Sequence, residues 1–194
     1  MSDQSRQQLR QQLRAQRRSL TTLQQQQAAQ NLARNILASG ILKRHRDIAL
    51  YLANDGEIDP APLLELLCQQ GRNCFLPVIA PNKQLCFAPY QPGDPLKANR
   101  FGIGEPLDDC PRRKPWTMGI VFLPLVGFDR AGGRLGMGGG FYDRSFSQIK
   151  TQAGLRQPQL VGLAHHCQQV ESLVLNSWDI PLSQIATDQE IISV

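Results

Sequence analysis

The sequence predicts an α/β fold: a single three-layer domain over residues 1–194, with a mostly parallel sheet flanked by helices and an N-terminal helical pair. Three observations predict it. Apolar residues first recur at helical spacing through two successive segments. Short apolar segments then alternate with helical ones, which is the order of βαβ units and their parallel strands. The strongest strand, over 119–126, leads into a glycine-rich segment at 132–140.

The composition is that of an ordinary globular domain. Of the 194 residues, 41% are hydrophobic and 19% are charged, and a chain of this length buries a sizeable core. No apolar run approaches the roughly 20 residues of a membrane-spanning helix, and the polar N-terminus lacks a signal-peptide pattern. We therefore expect a cytoplasmic protein without a membrane partner. The five cysteines show no CxxC spacing, so neither a zinc site nor a disulfide framework is indicated.

The first two helices are predicted over 3–18 and 23–39. In the first, Leu9 and Leu13 face inward, while four arginines recur every fourth position along another face: Arg6, Arg10, Arg14 and Arg18. Such a stripe is either a solvated helix face or a contact surface for an anion. Thr22 and Gln25 fit a capping box at the start of the second helix, and Gly40 ends it.

The strands are short apolar segments bounded by turn residues. They are predicted over 47–53, 73–79, 84–90, 119–126, 159–164 and 190–194. A helix over 63–70, with Asp59 as its cap, connects the first two strands in a βαβ unit. Residues 91–115 are rich in proline, glycine and charge, and predict a long surface excursion. Whether that excursion moves over a ligand site stays open. A helical pattern resumes over 141–150.

The segment from 132 to 140 contains six of the 16 glycines of the chain. Glycine lets successive backbone N–H groups converge on one point, which suits phosphate oxygens. Arg134 within the segment is suited to neutralising anionic charge, and Asp143 just after it to holding a divalent cation. The segment lacks the lysine of a Walker loop and the spacing of a dinucleotide fingerprint. The net charge of +5 favours an anionic partner, but does not choose among nucleic acid, nucleotide and polycarboxylate.

Seven short motifs follow one another along most of the chain. They are Arg6-x-x-x-Arg10, Tyr51-Leu-x-x-Asp55-Gly-Glu-Ile58, Leu76-Pro-Val78, Pro124-Leu-Val-x-Phe-Asp129, Arg134-Leu-Gly-x-Gly-x-Gly-Phe-Tyr-Asp143, Gly162-x-Ala164 and Trp178-Asp-Ile-Pro-Leu182. In these motifs the chain resembles the 5-formyltetrahydrofolate cyclo-ligases, also called methenyltetrahydrofolate synthetases. The motif that ends at Asp143 is the specific one. The others are weak singly but fall in the expected order.

The resemblance implies an enzyme that converts ATP and 5-formyltetrahydrofolate into 5,10-methenyltetrahydrofolate, ADP and phosphate, with Mg²⁺ as the cofactor. In the mechanism assigned to the family, the formyl oxygen attacks the γ-phosphate and gives an iminium phosphate. A neighbouring nitrogen then closes the ring as phosphate leaves. The partners it implies are small molecules: ATP and a reduced folate, with or without a polyglutamate tail. We expect a monomer.

Residue roles follow from the resemblance, position by position. ATP contacts are implied for Arg6, Arg10, Arg134, Leu135, Gly136, Met137, Gly138, Gly139, Gly140, Phe141 and Tyr142, of which Arg10 and Arg134 are also implied to be catalytic. Folate contacts are implied for Leu52, Glu57, Met137, Gly138, Gly139, Gly140 and Phe141. The implied Mg²⁺ ligands are Asp143 and Asp179. Many relatives carry lysine at the position of Arg6, and arginine there replaces a point charge by a planar fork.

Two other functions stay open at the level of sequence. The first is an RNA-binding domain that uses the basic N-terminal helix, although aromatic residues are only 6% of the chain and stacking platforms are therefore scarce. The second is an α/β enzyme of sugar-phosphate or acyl-CoA chemistry, since fold alone does not fix chemistry. Arg14 and Arg18 are interpreted as solvated, and the adjacent His165 and His166 as structural residues.

Overall fold

The computed structural model describes residues 3–147, 157–174, 176 and 179–194. The helices are α1 (Asp3–Arg18), α2 (Thr22–Ser39), α3 (Ala61–Gln69) and α4 (Phe141–Phe146). The strands are β1 (Asp47–Ala49), β2 (Asn73–Ile79), β3 (Leu85–Pro89), β4 (Leu96–Ala98), β5 (Gly104–Pro106), β6 (Ile120–Pro124), β7 (Gly127–Phe128), β8 (Arg134–Leu135), β9 (Gln159–Ala164), β10 (Gln184–Thr187) and β11 (Ile191–Ser193). Two short 3-10 helices, Pro115–Thr117 and His166–Gln168, complete these elements.

The central sheet has seven strands in the order β11-β10-β9-β6-β1-β2-β3. The five inner strands are parallel to one another. The two edge strands are antiparallel: β3 runs against β2, and β11 runs against β10. The predicted α/β class and mostly parallel sheet are therefore confirmed.

Alternate residues of the central strands belong to two hydrophobic core clusters, one on each face of the sheet. On one face Leu32 and Ile36 of α2 and Leu63 of α3 pack against Ile48 and Ile120. On the other face Val121 packs with Phe146 of α4. Because successive side chains of a strand point to opposite faces, strands that are buried on both sides read as continuous apolar runs.

Several predicted boundaries are wrong by a few residues. The first strand ends at Ala49 rather than Ala53, because the chain turns away from the sheet over 50–58. The helix predicted from Leu63 begins at Ala61, where the backbone of Leu64 already donates to the carbonyl of Pro60. The capping box of α2 is formed by Thr21 with Gln24, one residue before the predicted pair. Both pairs, Thr21 with Gln24 and Thr22 with Gln25, have the three-residue spacing of a capping box, and only the residue at which the helix begins decides between them.

Five of the observed strands were not predicted. β4 and β5 pair antiparallel within the excursion predicted over 91–115. β10 lies between the last two predicted strands, and β7 and β8 form a hairpin whose second strand lies within the glycine-rich segment. The carboxylate of Asp129 fixes that hairpin, because it accepts hydrogen bonds from the backbone N–H groups of Ala131 and Gly133 at 3.0 and 2.7 Å. The helix predicted over 141–150 is observed as α4, and its residues 148–150 lie outside the described residues. Within the described part, no helix has both the length and the apolar character needed to cross a membrane.

Candidate active site

The glycine-rich segment contains β8, continues from Gly136 to Gly140, and leads directly into α4. Gly138 and Gly140 have φ values of 91° and 62°, a left-handed conformation that glycine adopts without a steric penalty. The Nε of Arg10 donates a hydrogen bond to the carbonyl of Gly136 at 2.9 Å. A Cβ placed on Gly138 would lie 3.8 Å from the same guanidinium. One arginine of α1 therefore packs directly on the glycine-rich segment.

Arg134 and Asp143 form an ion pair across the base of this segment. A guanidinium nitrogen of Arg134 donates to Asp143 Oδ1, and Nε of Arg134 donates to the carbonyl of Ile180 at 2.8 Å. The same carboxylate oxygen accepts a hydrogen bond from the backbone of Ile180 at 3.3 Å. The pair thus connects the start of α4 to the chain segment at Asp179 and Ile180.

Arg6, one helical turn before Arg10, holds that segment from the other side. It is buried, donates to the carbonyl of Val174 at 2.8 Å, and pairs with Asp179 Oδ2 at 3.4 Å. The same oxygen accepts a hydrogen bond from the backbone of Asn176 at 2.8 Å. Trp178, which belongs to the same sequence motif, lies outside the described residues.

The carboxylates of Asp143 and Asp179 are suited to a magnesium ion that is held jointly with phosphates. Asp143 contacts the backbone of Ile180, which directly follows Asp179 in the chain. Mg²⁺ commonly uses one or two carboxylates and completes its octahedron with water and substrate phosphates. Among the described residues no group of three or more His, Cys, Asp or Glu side chains is arranged as a metal site. The pair of acids therefore fits a phosphate-bound Mg²⁺ better than an ion held by protein alone.

Glu57 closes a tight turn at the other end of the site. Asp55 and Gly56 both have positive φ, 56° and 73°, and the backbone of Glu57 donates to the carbonyl of Asn54 at 3.0 Å. Two consecutive left-handed residues define a type I′ turn. The Glu57 carboxylate then accepts a hydrogen bond from the backbone of Asn54 at 3.1 Å. Backbone and side chain together fix the direction of this carboxylate.

Burial raises the pKa of Glu57 to about 7, against the opposing charge of Arg17 and the hydrogen bond from Asn54. The side chain is only 10% exposed. Burial also raises the pKa of Tyr142, and the charge of Glu57 adds to this effect. A carboxyl group that titrates near neutrality beside a phenol is typical of a ligand site.

The arginines of the last turns of α1 converge on the turn that precedes Glu57. Arg14, Arg17 and Arg18 all donate to the carboxylate of Asp55. Burial alone would raise the pKa of Asp55, but the three hydrogen bonds outweigh burial and lower it to about 2. The side chains of Arg14 and Arg18 are 32% and 52% exposed, in line with their interpretation as solvated charges. Their pairing with Asp55 was not predicted, and it arises because the turn brings Asp55 against the helix.

The model of the 5-formyltetrahydrofolate cyclo-ligase family matches residues 2–188. The chain belongs to this family. The 5-formyltetrahydrofolate cyclo-ligase of Haemophilus influenzae is 43% identical over 188 residues, which cover 95% of this chain and 98% of the relative. That of Escherichia coli K12 is 39% identical over 181 residues, which cover 90% and 96%.

A solved structure of the same family has the same fold. The 5,10-methenyltetrahydrofolate synthetase of Aquifex aeolicus superimposes with a TM-score of 0.82 at 26% identity, and the match covers 97% of this chain and 92% of that one. The chain is accordingly an enzyme of the cyclo-ligase family.

The implied site residues lie on two surfaces, one around the glycine-rich segment and its acids and one around the turn at Glu57. Arg6, Arg10 and Arg134 surround the glycine-rich segment and its acids, as described above. Glu57 and Met137 both approach Arg17, whose Nη2 lies 3.8 Å from Glu57 Oε1 and 3.8 Å from Met137 Sδ. The two surfaces meet at Met137.

Two implied contacts are limited by burial or packing. The side chain of Leu135 is buried with Leu13 and Val126, so only its backbone is available for the implied ATP contact. Leu52 packs beside the hairpin formed by β4 and β5, since a Cβ placed on Gly104 would lie 3.3 Å from Leu52 Cδ1. This hairpin belongs to the excursion predicted over 91–115.

The structure also brings Phe101 and Arg17 to the site, and sequence reasoning missed both. Phe101 follows Arg100 between β4 and β5, is 50% exposed, and meets the ring of Phe141 edge-on with ring centroids 5.8 Å apart. An exposed aromatic residue in a polar excursion was the available signal. Arg17 follows Leu13 by four positions, on the inward face of α1, and a charge at an inward position was the signal for it.

Proposed function

We propose that the protein converts 5-formyltetrahydrofolate into 5,10-methenyltetrahydrofolate, with ATP as the phosphoryl donor and Mg²⁺ as the cofactor. The observation that carries the proposal is the arrangement of α1. Its arginines reach the glycine-rich segment, the acidic segment at Asp179 and the turn at Glu57 from one helix. The helix would thereby join an ATP half of the site, around the glycine-rich segment and its acids, to a folate half around Glu57. We infer that the enzyme acts as a monomer in the cytoplasm.

The ATP half provides cations and backbone donors. Arg6, Arg10 and Arg134 would neutralise the oxygens of the triphosphate, while backbone N–H groups of residues 136–142 approach it closely. Phosphoryl transfer depends mainly on position and charge neutralisation, which such groups supply without acid–base chemistry. Asp143 and Asp179 would hold the Mg²⁺ ion, which neutralises the developing phosphate charge.

The folate half combines a carboxylate with apolar surface. Glu57 would accept hydrogen bonds from the amino-pyrimidine edge of the pterin, because an ionised carboxylate accepts on both oxygens. Leu52, Met137 and Phe141 would pack against the rings of the folate. Met137 is 49% exposed, so its side chain is free to contact a ligand on the surface that it shares with Glu57.

The reaction follows from bringing the two halves together. The formyl oxygen of the folate attacks the γ-phosphorus, and the bond from that phosphorus to the ADP oxygen breaks. The neighbouring folate nitrogen then adds to the activated formyl carbon and loses its proton, and the carbon–oxygen bond to phosphate breaks. Arg10 and Arg134 would stabilise charge on the transferred group throughout.

The test is an absorbance assay with 5-formyltetrahydrofolate, ATP and Mg²⁺. Formation of the conjugated methenyl product should raise the absorbance only when all three are present. Asp143→Ala should abolish the rise, because it removes a proposed Mg²⁺ ligand and the partner of Arg134. Asp94→Ala, on an exposed turn where its carboxylate accepts from the Gln91 backbone, is the control and should keep activity. Turnover that is independent of ATP would refute the proposal.

A further inference from the structure

Arg17 has no part in the reaction described above, although it lies where the two halves of the site meet. Its side chain is fully buried. Nε donates to the backbone carbonyl of Asp55 at 2.9 Å, and Nη1 donates to the carbonyl of Leu125 at 3.3 Å. Nη2 donates to Asp55 Oδ2 at 2.9 Å. Burial of a charged side chain is unfavourable unless its donors are paired, and this one is paired on each nitrogen.

The remaining contacts of Arg17 reach both walls of the folate half. Nη2 lies 3.8 Å from Glu57 Oε1, on the turn, and 3.8 Å from Met137 Sδ, on the glycine-rich segment. The planar fork of arginine holds several acceptors in one geometry, which a lysine ammonium does not. One rigid group therefore sets the spacing between the turn and the glycine-rich segment.

We propose that Arg17 is a positioning residue for folate binding, which holds the turn of Glu57 against Met137 and keeps Glu57 as a hydrogen-bond-accepting carboxylate. This inference rests on the proposed function, because that function assigns Glu57 and Met137 to the folate. Arg17 itself touches neither ATP nor folate in this account. Its effect passes through Glu57.

The charge of Arg17 matters because Glu57 is buried among groups of both signs. Arg14 and Arg17 of α1 are the positive groups near it, and Asp55 of the same turn is the negative one. The phenols of Tyr51, which follows β1, and Tyr142, in α4, also lie near it. Burial raises the pKa of Glu57 to about 7, and Arg17 is the strongest opposing charge. Loss of Arg17 should raise this pKa further. A larger fraction of Glu57 would then be neutral at pH 7 and would lose an acceptor.

The experiment compares Arg17→Met and Arg17→Lys with a matched control, Arg18→Met. Arg18 pairs with the same Asp55 carboxylate from the solvent side and is 52% exposed, so its removal perturbs the turn without removing the buried fork. Three quantities are measured for each variant: KM for 5-formyltetrahydrofolate, KM for ATP, and folate affinity without ATP from about pH 6 to about pH 9. Melting temperatures establish that each variant is folded.

Arg17→Met should raise the folate KM about tenfold at pH 7, the effect of about one charged hydrogen bond. The ATP KM should change less than about twofold, and the pH midpoint of folate affinity should move upward by about one pH unit. Arg17→Lys keeps the charge but not the fork, so it should raise the folate KM while the midpoint stays at its wild-type value. Arg18→Met should resemble wild type in both measurements.

A merely structural Arg17 would leave the pH midpoint where it is, and an unmoved midpoint in folded Arg17→Met overturns the inference. If Arg17→Met does not fold, Arg17→Lys decides: a wild-type folate KM in that variant overturns the inference. Failure of the proposed function is seen separately, as a wild-type protein that makes no methenyl product. Binding without ATP still tests Arg17 in that case, and a wild-type protein that binds no folate overturns both.

Discussion

The most informative single residue is Glu57, because its environment and its proposed role make opposite demands on its charge. Burial favours the neutral form, whereas binding to a pterin amino group requires the carboxylate. The turn at Asp55 and Gly56 directs the side chain inward, and Arg17 partly offsets the effect of burial. Active sites commonly hold such groups near their titration point.

This conflict predicts how stability depends on pH. A carboxyl whose pKa is raised from about 4.5 to about 7 on folding retains its proton to a higher pH in the folded state than in the unfolded state. Its contribution to the free energy of unfolding therefore falls as the pH rises from about 4.5 to about 7, and stays constant above that range. Glu57→Gln should remove this fall. The free energy of unfolding of the variant minus that of wild type should therefore be larger at pH 8 than at pH 5, by on the order of 3 kcal/mol.

Urea unfolding of wild type and Glu57→Gln at both pH values measures the difference. Glu65→Gln, at an exposed position of α3, is the control and should leave the pH dependence of wild type intact. Parallel stability curves for wild type and Glu57→Gln would show that Glu57 does not titrate near neutrality.

At the scale of elements, α1 connects the parts of the site that are far apart in sequence. Arg6 contacts the segment at Asp179, Arg10 the glycine-rich segment, and Arg17 the turn at Asp55. Arg10 lies four residues after Arg6, and Arg17 lies seven residues after Arg10 on the same helix. One rigid element therefore sets the distances between three loops. This arrangement explains why basic residues are concentrated on this helix.

Removal of the first of these contacts should weaken ATP binding selectively. Arg6→Met removes a proposed phosphate contact and leaves Asp179 without its guanidinium, so the ATP KM should rise about tenfold with little change in the folate KM. Steady-state kinetics with each substrate varied in turn give both constants. Arg34→Met, at an exposed position of α2, should change neither. An equal rise in both constants would show that Arg6 serves the fold rather than ATP.

The hairpin of β4 and β5 is the second element that reaches the site. Phe101 meets Phe141 edge-on, and the guanidinium of Arg100 lies 4.8 Å from the Phe101 ring centroid and 5.9 Å from that of Phe141. An aromatic pair of this geometry is worth about 0.5–1.5 kcal/mol. The hairpin therefore covers Phe141 at the edge of the proposed folate surface.

Phe101→Ala should raise the folate KM by about twofold to tenfold, in line with the worth of such a pair. Titration of the folate in the absorbance assay measures the change. Leu23→Ala, an exposed apolar position on α2, is the matched control for loss of surface area. A wild-type folate KM in Phe101→Ala would place the folate away from this hairpin.

The sequence predicts elements better than it predicts contacts between them. The helix over 3–18 and the strands over 73–79 and 159–164 follow from apolar periodicity and are confirmed. The pairing of Asp55 with three arginines was missed, because it joins positions roughly forty residues apart. The two-residue strands β7 and β8 were missed because so short a pair has no periodicity to read. Local patterns specify elements, whereas tertiary contacts depend on the packing of the whole chain.

At the scale of the whole molecule, the sheet brings the two halves of the site together. The turn at Asp55 follows β1, and the hairpin of β7 and β8 follows β6, the parallel neighbour of β1. Ligands of α/β sheets gather where parallel strands end. Glu57 and the glycine-rich segment are thus neighbours because the strands that precede them are neighbours, which is what the proposed transfer from ATP to a folate oxygen requires.

The proposed reaction depends on one step, in which the formyl oxygen of the folate receives the γ-phosphoryl group of ATP. The most direct measurement uses 5-formyltetrahydrofolate labelled with oxygen-18 at the formyl oxygen, with ATP and Mg²⁺, and follows the label by mass spectrometry of the released phosphate. We expect one labelled oxygen in each phosphate that is released. Unlabelled phosphate, with the label lost to water or formate, would contradict it.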